Sequence, residues 1–253
     1  MKFGFGFDSF NDDYKVVVIV DSDIVVDHLF PDDVDVANEI TREVFVYSMN
    51  FKSWRLIEGT SSSRDGVLSG ENGVLINTHL LHWVFQSSDS HENRIGCFDL
   101  RTDKWVQDVP LPNYYKNHGT NWCNFYDDKK INVVHIGVLD KCLCLLTDNP
   151  SNVWIMKEYG VKESWVKLLG VSDSQITQSL KFCPLAYRGV ASNEVLVRKI
   201  NQRKKASELV WYNVHEKKFQ RVDQIFKSRK VYGFLDAYVC EGSLVDLPGG
   251  LKL

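Results

Sequence analysis

Eight carboxylates crowd the stretch from Asp21 to Glu43, among them Asp27, Asp32, Asp33 and Asp35. Carboxylate oxygen is the hard ligand that calcium takes, yet the spacing does not follow: a calcium hand needs a glycine at its sharp turn and a closing glutamate, and neither stands in place. The acidic run therefore reads as a solvated insertion between strands, long enough to act as a specificity loop on one face of the fold. Gly4 and Gly6 in FGFGFD have the look of a phosphate loop. A dinucleotide loop, however, joins a strand to a helix and carries a third glycine, whereas here Phe3, Phe5 and Phe7 alternate with the glycines and a strand pattern continues. That alternation predicts a strand with one aromatic face and one face close to neighbouring backbone. His79, His82, His91, His118 and His135 are scattered, with no HExxH pair for zinc, and no GxSxG elbow offers a nucleophile.

The cysteines are Cys97, Cys123, Cys142, Cys144, Cys183 and Cys240. Cys142 and Cys144 lie two apart on a strand and share one face, which suits neither a disulfide between them nor the CxxC spacing of a zinc site. They are predicted to be small buried hydrophobes in a reducing compartment. No catalytic residue, cofactor or metal is expected. What the chain does carry is a polar and aromatic segment from Asn113 to Lys130, with Tyr114, Tyr115, His118, Trp122, Phe125 and Tyr126. Tyr and Trp give large contact area at low entropic cost, so this segment suits a protein contact surface; a loop folded back over a sheet edge has the same composition.

The elements that must position these residues repeat. Asn152 to Leu169 reads as a β-hairpin: Val153 to Met156 is β-prone, the turn holds Gly160, and Trp165 opens a second apolar run. Val44 to Ile57, Arg94 to Pro112 and Leu209 to Val222 share that grammar, and the anchors Trp54, Trp105, Trp165 and Phe219 follow one another at separations of 51 to 60 residues. A second hairpin precedes each anchor hairpin, at Phe3 to Val20, Asn72 to Phe85, Ile131 to Thr147 and Phe182 to Ile200, with turn signals at Asn11-Asp12-Asp13, Asn77-Thr78, Asp140-Lys141 and Ser192-Asn193. A period of roughly 50 residues is that of kelch-type propeller blades, since a four-stranded sheet cannot bury both faces alone. The fold class predicted is all-β, a kelch-like β-propeller of four-stranded blades, with Trp54, Trp105 and Trp165 as core anchors. Val231 to Leu247 is left as a fifth, partial unit.

With 253 residues, 44% hydrophobic and 12% aromatic, the chain can bury the core of one large domain. Its net charge of −3 gives no electrostatic reason to expect nucleic acid or an anionic membrane as partner. The basic cluster Arg198, Lys199, Arg203, Lys204 and Lys205 reads as a solvated loop between strands. No apolar run is long enough to span a membrane, and the N-terminus has no signal-peptide pattern.

The blocks FGFGFDSFNDDYKVV, VFVYSMNFKSWRLI, NGVLINTHLLHW, RIGCFDLRTDKW with PLP, GVLDKCLCLL, VWIMKEYGVKESWVKLL and YVCEGSLVDL, taken in order, closely resemble the F-box-associated domain of plant F-box proteins. The group it resembles includes defence-regulating F-box proteins and the S-locus F-box proteins of self-incompatibility. The resemblance implies the substrate receptor of a Skp, cullin and F-box ubiquitin ligase: an N-terminal F-box docks on the Skp adaptor and so reaches the cullin, and the associated domain binds the protein to be ubiquitinated. It implies a cytoplasmic or nuclear protein, not a secreted one, and no enzyme. FGFGFD falls where the family has already passed its F-box and one earlier blade, with its CNGLxC-like strand and NPxTxxW-like hairpin. Residues 1–253 are therefore expected to form a partial propeller, an incomplete ring whose first blade is missing, with no F-box and no adaptor contact of its own. Tyr238 to Leu247 would complete the missing blade. The candidate protein-binding residues are Asp27, Asp32 and Asp33 of the acidic insertion, and Tyr114, Tyr115, Trp122 and Tyr126 of the aromatic segment.

Two rivals belong to other classes. A kelch-like interaction scaffold without ligase connection differs only in what precedes the domain. A propeller hydrolase or oxidase needs acids or metal ligands converging from several blades. Asp99 has no acidic counterpart at Tyr47 and Ser48 or at Asn213, and only Glu158 in the remaining hairpin.

Overall fold

The computed structural model describes residues 1–24, 39–57, 66–86, 93–112, 133–147, 152–170, 180–189, 192–201 and 206–222. They form sixteen strands in four antiparallel sheets, each a meander in sequence order. Sheet 1 holds β1 (Lys2–Asp8), β2 (Asp13–Ile24), β3 (Glu39–Ser48) and β4 (Ser53–Ile57); sheet 2 holds β5 (Val67–Ile76), β6 (Leu80–Gln86), β7 (Asn93–Asp99) and β8 (Lys104–Val109). Sheet 3 holds β9 (Val133–Leu139), β10 (Cys142–Thr147), β11 (Asn152–Met156) and β12 (Trp165–Gly170); sheet 4 holds β13 (Leu180–Tyr187), β14 (Glu194–Asn201), β15 (Ala206–Asn213) and β16 (Lys218–Arg221). The first strands lie side by side, β1 against β5, β5 against β9 and β9 against β13, as the inner strands of propeller blades do. Four sheets, each at the stretch the sequence assigns to it, bear out the kelch-like propeller. Among the described residues the ring is not closed; the partial unit at 231–247 lies outside them.

Period-two alternation explains the stacking, because successive side chains of a strand leave on opposite faces. On β6, Leu81, Trp83 and Phe85 pack on Val17, Ile19, Val44 and Val46 of sheet 1, while Val84 between them joins Leu143 and Leu145 of sheet 3. On β10, Cys144 and Leu146 turn the other way, to Phe182, Val195 and Val197 of sheet 4. Sheets 2 and 3 are thus covered on both faces. Full burial of each large apolar side chain, such as Phe98 or Leu145, is worth about 1.5–3 kcal/mol.

Among the described residues, sheet 1 is covered on one face only. The register sets Phe3, Val18, Phe45 and Leu56 in one row and Phe5, Val16, Tyr47 and Trp54 in the next. Phe3, Phe5, Trp54 and Leu56 of this second face are about half exposed, at 50, 55, 56 and 47%. Gly4 and Gly6 point the other way. A Cβ at Gly4 would stand 2.8 Å from the Trp83 ring, and one at Gly6 2.6 Å from Leu100 Cδ1. The close approach read from the FGFGFD pattern is therefore there, but it is made to side chains of sheet 2 rather than to backbone.

Four of the hairpins use the same four-residue loop. Asp12, Lys52, Asp103 and Lys217 occupy its last position with φ of 52 to 55°. The residue before each loop caps it: Asp8, Asp99 and Asn213 accept loop N–H groups through Oδ1, and Ser48 through Oγ. A side chain that mimics the missing backbone acceptor is why Asp, Asn and Ser recur there. Asp140 and Lys141, both at positive φ, form the two-residue turn that the sequence marks.

The anchor aromatics are only partly core. In sheets 1, 2 and 4 each pairs across the strand with an aromatic of the third strand: Tyr47 with Trp54 at 5.1 Å between centroids, Phe98 with Trp105 at 5.4 Å, Tyr212 with Phe219 at 4.9 Å. Trp165 is buried and Trp105 half-buried, but Trp54 and Phe219 are exposed by 56 and 41%. Repetition fixes register, and burial at an outer strand then depends on whether a neighbouring sheet reaches it. Arg198 is corrected in the same way: it is a buried residue of β14 rather than part of a solvated loop, and Lys199 beside it pairs with Glu208 at 3.1 Å.

Candidate protein-interaction surface

Within sheets 1 and 2 the tight turns hold one end of the strands, and the longer connections leave from the other. The acidic segment at 25–38 joins β2 to β3, and the aromatic segment at 113–132 joins sheet 2 to sheet 3. Asp27, Asp32, Asp33, Tyr114, Tyr115, Trp122 and Tyr126 all lie outside the described residues; what is described is the pair of bases that carry them.

The base of 25–38 is locked. Asp21 accepts Arg42 Nε at 2.7 Å and Nη2 at 2.8 Å, and the same Nη2 reaches the carbonyl of Gly66, just before β5, at 2.8 Å. Leu68 N–H also donates to Asp21 Oδ2 at 3.4 Å. Asp21, the first acid of the series, is therefore a structural partner rather than a solvated charge. The base of 113–132 is held by sheet 3, where the Trp165 indole donates to the carbonyl of Pro110 at 2.8 Å. Both segments thus spring from strand ends fixed to an adjoining sheet, as loops that carry recognition on a rigid scaffold do.

The turn end is locked by charge. Lys15 Nζ lies 2.9 Å from Asp8 Oδ2 and 3.1 Å from Asp103 Oδ1, tying sheet 1 to sheet 2, and Arg55 also bonds Asp103. Burial pushes the Asp8 carboxyl up, but bonds from Asn11 and Lys15 outweigh it and hold the group below the usual carboxylate value. Asp99 behaves alike: burial opposes ionisation, and Arg101, at 2.9 Å, prevails. Asp99, Ser48 and Asn213 are equivalent loop caps, which explains why an acid appears at only some of the sister positions.

The groups best suited to acid-base or nucleophilic work, His82, Cys97 and Cys144, are buried. His82 is fully buried, with Nε2 at 2.6 Å from the Tyr159 hydroxyl and Nδ1 at 3.2 Å from the Val74 carbonyl. Burial lowers its pKa to about 4, so it is neutral at pH 7. Cys97, 3.5 Å from the same hydroxyl, is pushed up to about 11 by burial, and burial likewise raises Cys142 and Cys144. Thiols so shifted are poor nucleophiles. Cys97, Cys142, Cys144 and Cys183 are reduced thiols, and among the described residues no three His, Cys, Asp or Glu side chains are grouped to hold a metal. No described helix is long and apolar enough to cross a membrane.

A feature that sequence reasoning missed is a cleft of about 660 Å³ between sheets 3 and 4, at the turn end. Its apolar lining includes Ile155, Leu168, Leu185 and Val214, and Lys157, Lys167 and Asp140 supply charge. These residues come together only when β12 is set beside the β13–β14 turn, so no local pattern announces them.

Comparison with known proteins bears on this architecture. The family described as "F-box associated beta propeller domain" matches residues 1–233. The chain belongs to that family. Among its relatives in Arabidopsis thaliana, F-box protein CPR1 is 30% identical over 241 residues, covering 85% of this chain and 50% of that protein. F-box protein At4g22390 is 29% identical over 227 residues, covering 84% and 50%, and F-box/kelch-repeat protein At3g23880 is 29% identical over 177 residues, covering 68% and 40%. The F-box-associated chain thus spans about half the length of the curated relatives it matches.

Proposed function

We propose that this F-box-associated propeller is the substrate-recognition region of an F-box protein in a Skp–cullin–F-box ubiquitin ligase, and that it binds a target protein for ubiquitination. The observation that carries this reading is the family match over residues 1–233. The geometry supports it, since two long connections leave strand ends pinned by Arg42 and Trp165, while His82, Cys97 and Cys144 are buried and Asp8, Asp21, Asp99 and Asp103 are committed to structural partners. Such a region performs no bond chemistry. It holds a target beside the ligase's transfer site and so raises its effective concentration. Asp27, Asp32, Asp33, Tyr114, Tyr115, Trp122 and Tyr126 are the contact residues of this reading, the Skp adaptor and cullin are reached through an F-box, and the setting is cytoplasmic or nuclear. The captured target decides whether the protein serves defence or self-incompatibility.

The test is quantitative capture of partners by the full-length gene product in its native cells, with and without proteasome inhibition. The expected result is a Skp adaptor together with at least one protein whose ubiquitinated form accumulates under inhibition. Partners whose abundance does not respond, with no adaptor among them, would make the protein a scaffold without ligase role.

A further inference from the structure

We infer that the cleft between sheets 3 and 4 is a second recognition site, which takes an acidic peptide segment of the target with an apolar side chain between its carboxylates. The inference rests on the target-binding reading and adds a surface at the turn end, away from the strand ends that carry the acidic and aromatic segments.

Three observations carry it. First, the charge of the cleft is one-sided. Lys157 follows β11, Lys167 lies on β12, and Lys217, in the β15–β16 turn, is close enough to Lys167 to repel it. Asp140 is the one acid in the lining, against Lys157 and Lys167, and Lys217 adds a third positive charge near Lys167. The chain as a whole carries −3, which makes this a local reversal of its field. Second, none of these lysines enters an ion pair among the described residues, whereas Lys15 and Lys199 are both paired. Burial, and then Lys217, holds the Lys167 ammonium below its usual value; the opposite charge of a bound carboxylate would offset that shift. Third, the floor is apolar and the space is real. Val166 is 49% exposed, and Leu168 and Leu185 are half-buried beside it, in a volume sufficient for a leucine or phenylalanine side chain. A purely anionic ligand would leave that floor wet, and a purely apolar one would leave the lysines without counter-charge. An acidic segment with one apolar residue satisfies both.

The experiment uses the full chain and a short fluorescein-labelled peptide of glutamates around a central leucine, read by fluorescence anisotropy. The expected result is saturable binding that weakens with salt and falls about tenfold or more when the glutamates become glutamines, since each lost charge removes a charge-assisted bond. The Lys157→Glu, Lys167→Glu double variant, checked for folding by circular dichroism, is expected to show a similar loss. Equal binding of the glutamine peptide by the unaltered protein overturns the inference, and this comparison stands even where the double variant does not fold. Undiminished binding by a folded double variant also overturns it. The two readings separate when that variant is put through partner capture: targets that are still captured and turned over leave the ligase reading standing and remove the cleft. Peptide binding by a protein whose captured partners never turn over does the reverse.

Discussion

Lys15 places its ammonium in a site where its side chain is 7% exposed and that of Asp8 is fully buried. Removing one partner of such a group leaves uncompensated charge behind, so Lys15→Met should cost about 3–5 kcal/mol, read as a lower urea midpoint. Neutralising the carboxylates as well, with Asp8→Asn and Asp103→Asn, should recover much of that loss. His82 gives a pH signature of its own. Its pKa falls from 6.5 to about 4 on folding, so between those values the unfolded chain binds the extra proton and stability declines as pH falls. The loss should be on the order of 3 kcal/mol by pH 4, at 1.36 kcal/mol per pKa unit. His82→Gln should flatten the pH dependence of the melting temperature in that window. Asp8 and Asp99 contribute only lower down: with folded values below the ordinary 3.8, their stabilisation is present above 3.8 and disappears as pH falls past it.

At the level of the strand, glycines that look alike in the sequence differ in what they touch. A Cβ on Gly96 would lie 2.5 Å from the Phe85 ring, whereas one on Gly137 meets only His135 Nε2 at 3.8 Å. Gly96→Ala should therefore cost about 1–3 kcal/mol through overpacking. Gly137→Ala should be neutral or stabilising by up to about 1 kcal/mol, because it restricts the unfolded chain. Thermal or urea unfolding of the two variants checks both signs. The same distinction sets the limit of reading the sequence. Apolar alternation and turn residues such as Asp140-Lys141 located four units and their hairpins, because both signals act within a few residues of the chain. Exposure of Trp54, closure over Gly4, and the approach of Lys217 to Lys167 depend on which sheet comes next in space, and no period in the sequence encodes that. The contact residues from Asp27 to Tyr126 remain expectations of sequence and resemblance; the structure adds the locked bases at Asp21–Arg42 and Pro110–Trp165.

For the whole molecule, the second face of sheet 1 is the exposed apolar surface with the largest aromatic content among the described strands. Phe3, Phe5, Trp54 and Leu56 form adjacent rows there, and a contiguous apolar patch of this kind binds hydrophobic dyes. The 253-residue chain should enhance anilinonaphthalene sulfonate fluorescence in its folded state, and Phe5→Lys with Trp54→Lys should remove most of that signal while leaving far-UV circular dichroism unchanged. An unaltered signal in the double variant would place the dye elsewhere.

The row of sheets has a further consequence, in how the chain yields to force. Each sheet is one contiguous stretch of sequence, and three separate apolar clusters couple neighbours only. Among the described residues, sheets 1 and 4 are each held by a single cluster, and sheets 2 and 3 by two. A processive unfoldase drawing on either terminus would therefore peel one sheet at a time. The resistance it meets should be lowest at the outer sheets and rise at the inner pair, so that extension under load proceeds in a sawtooth of four steps rather than one rupture.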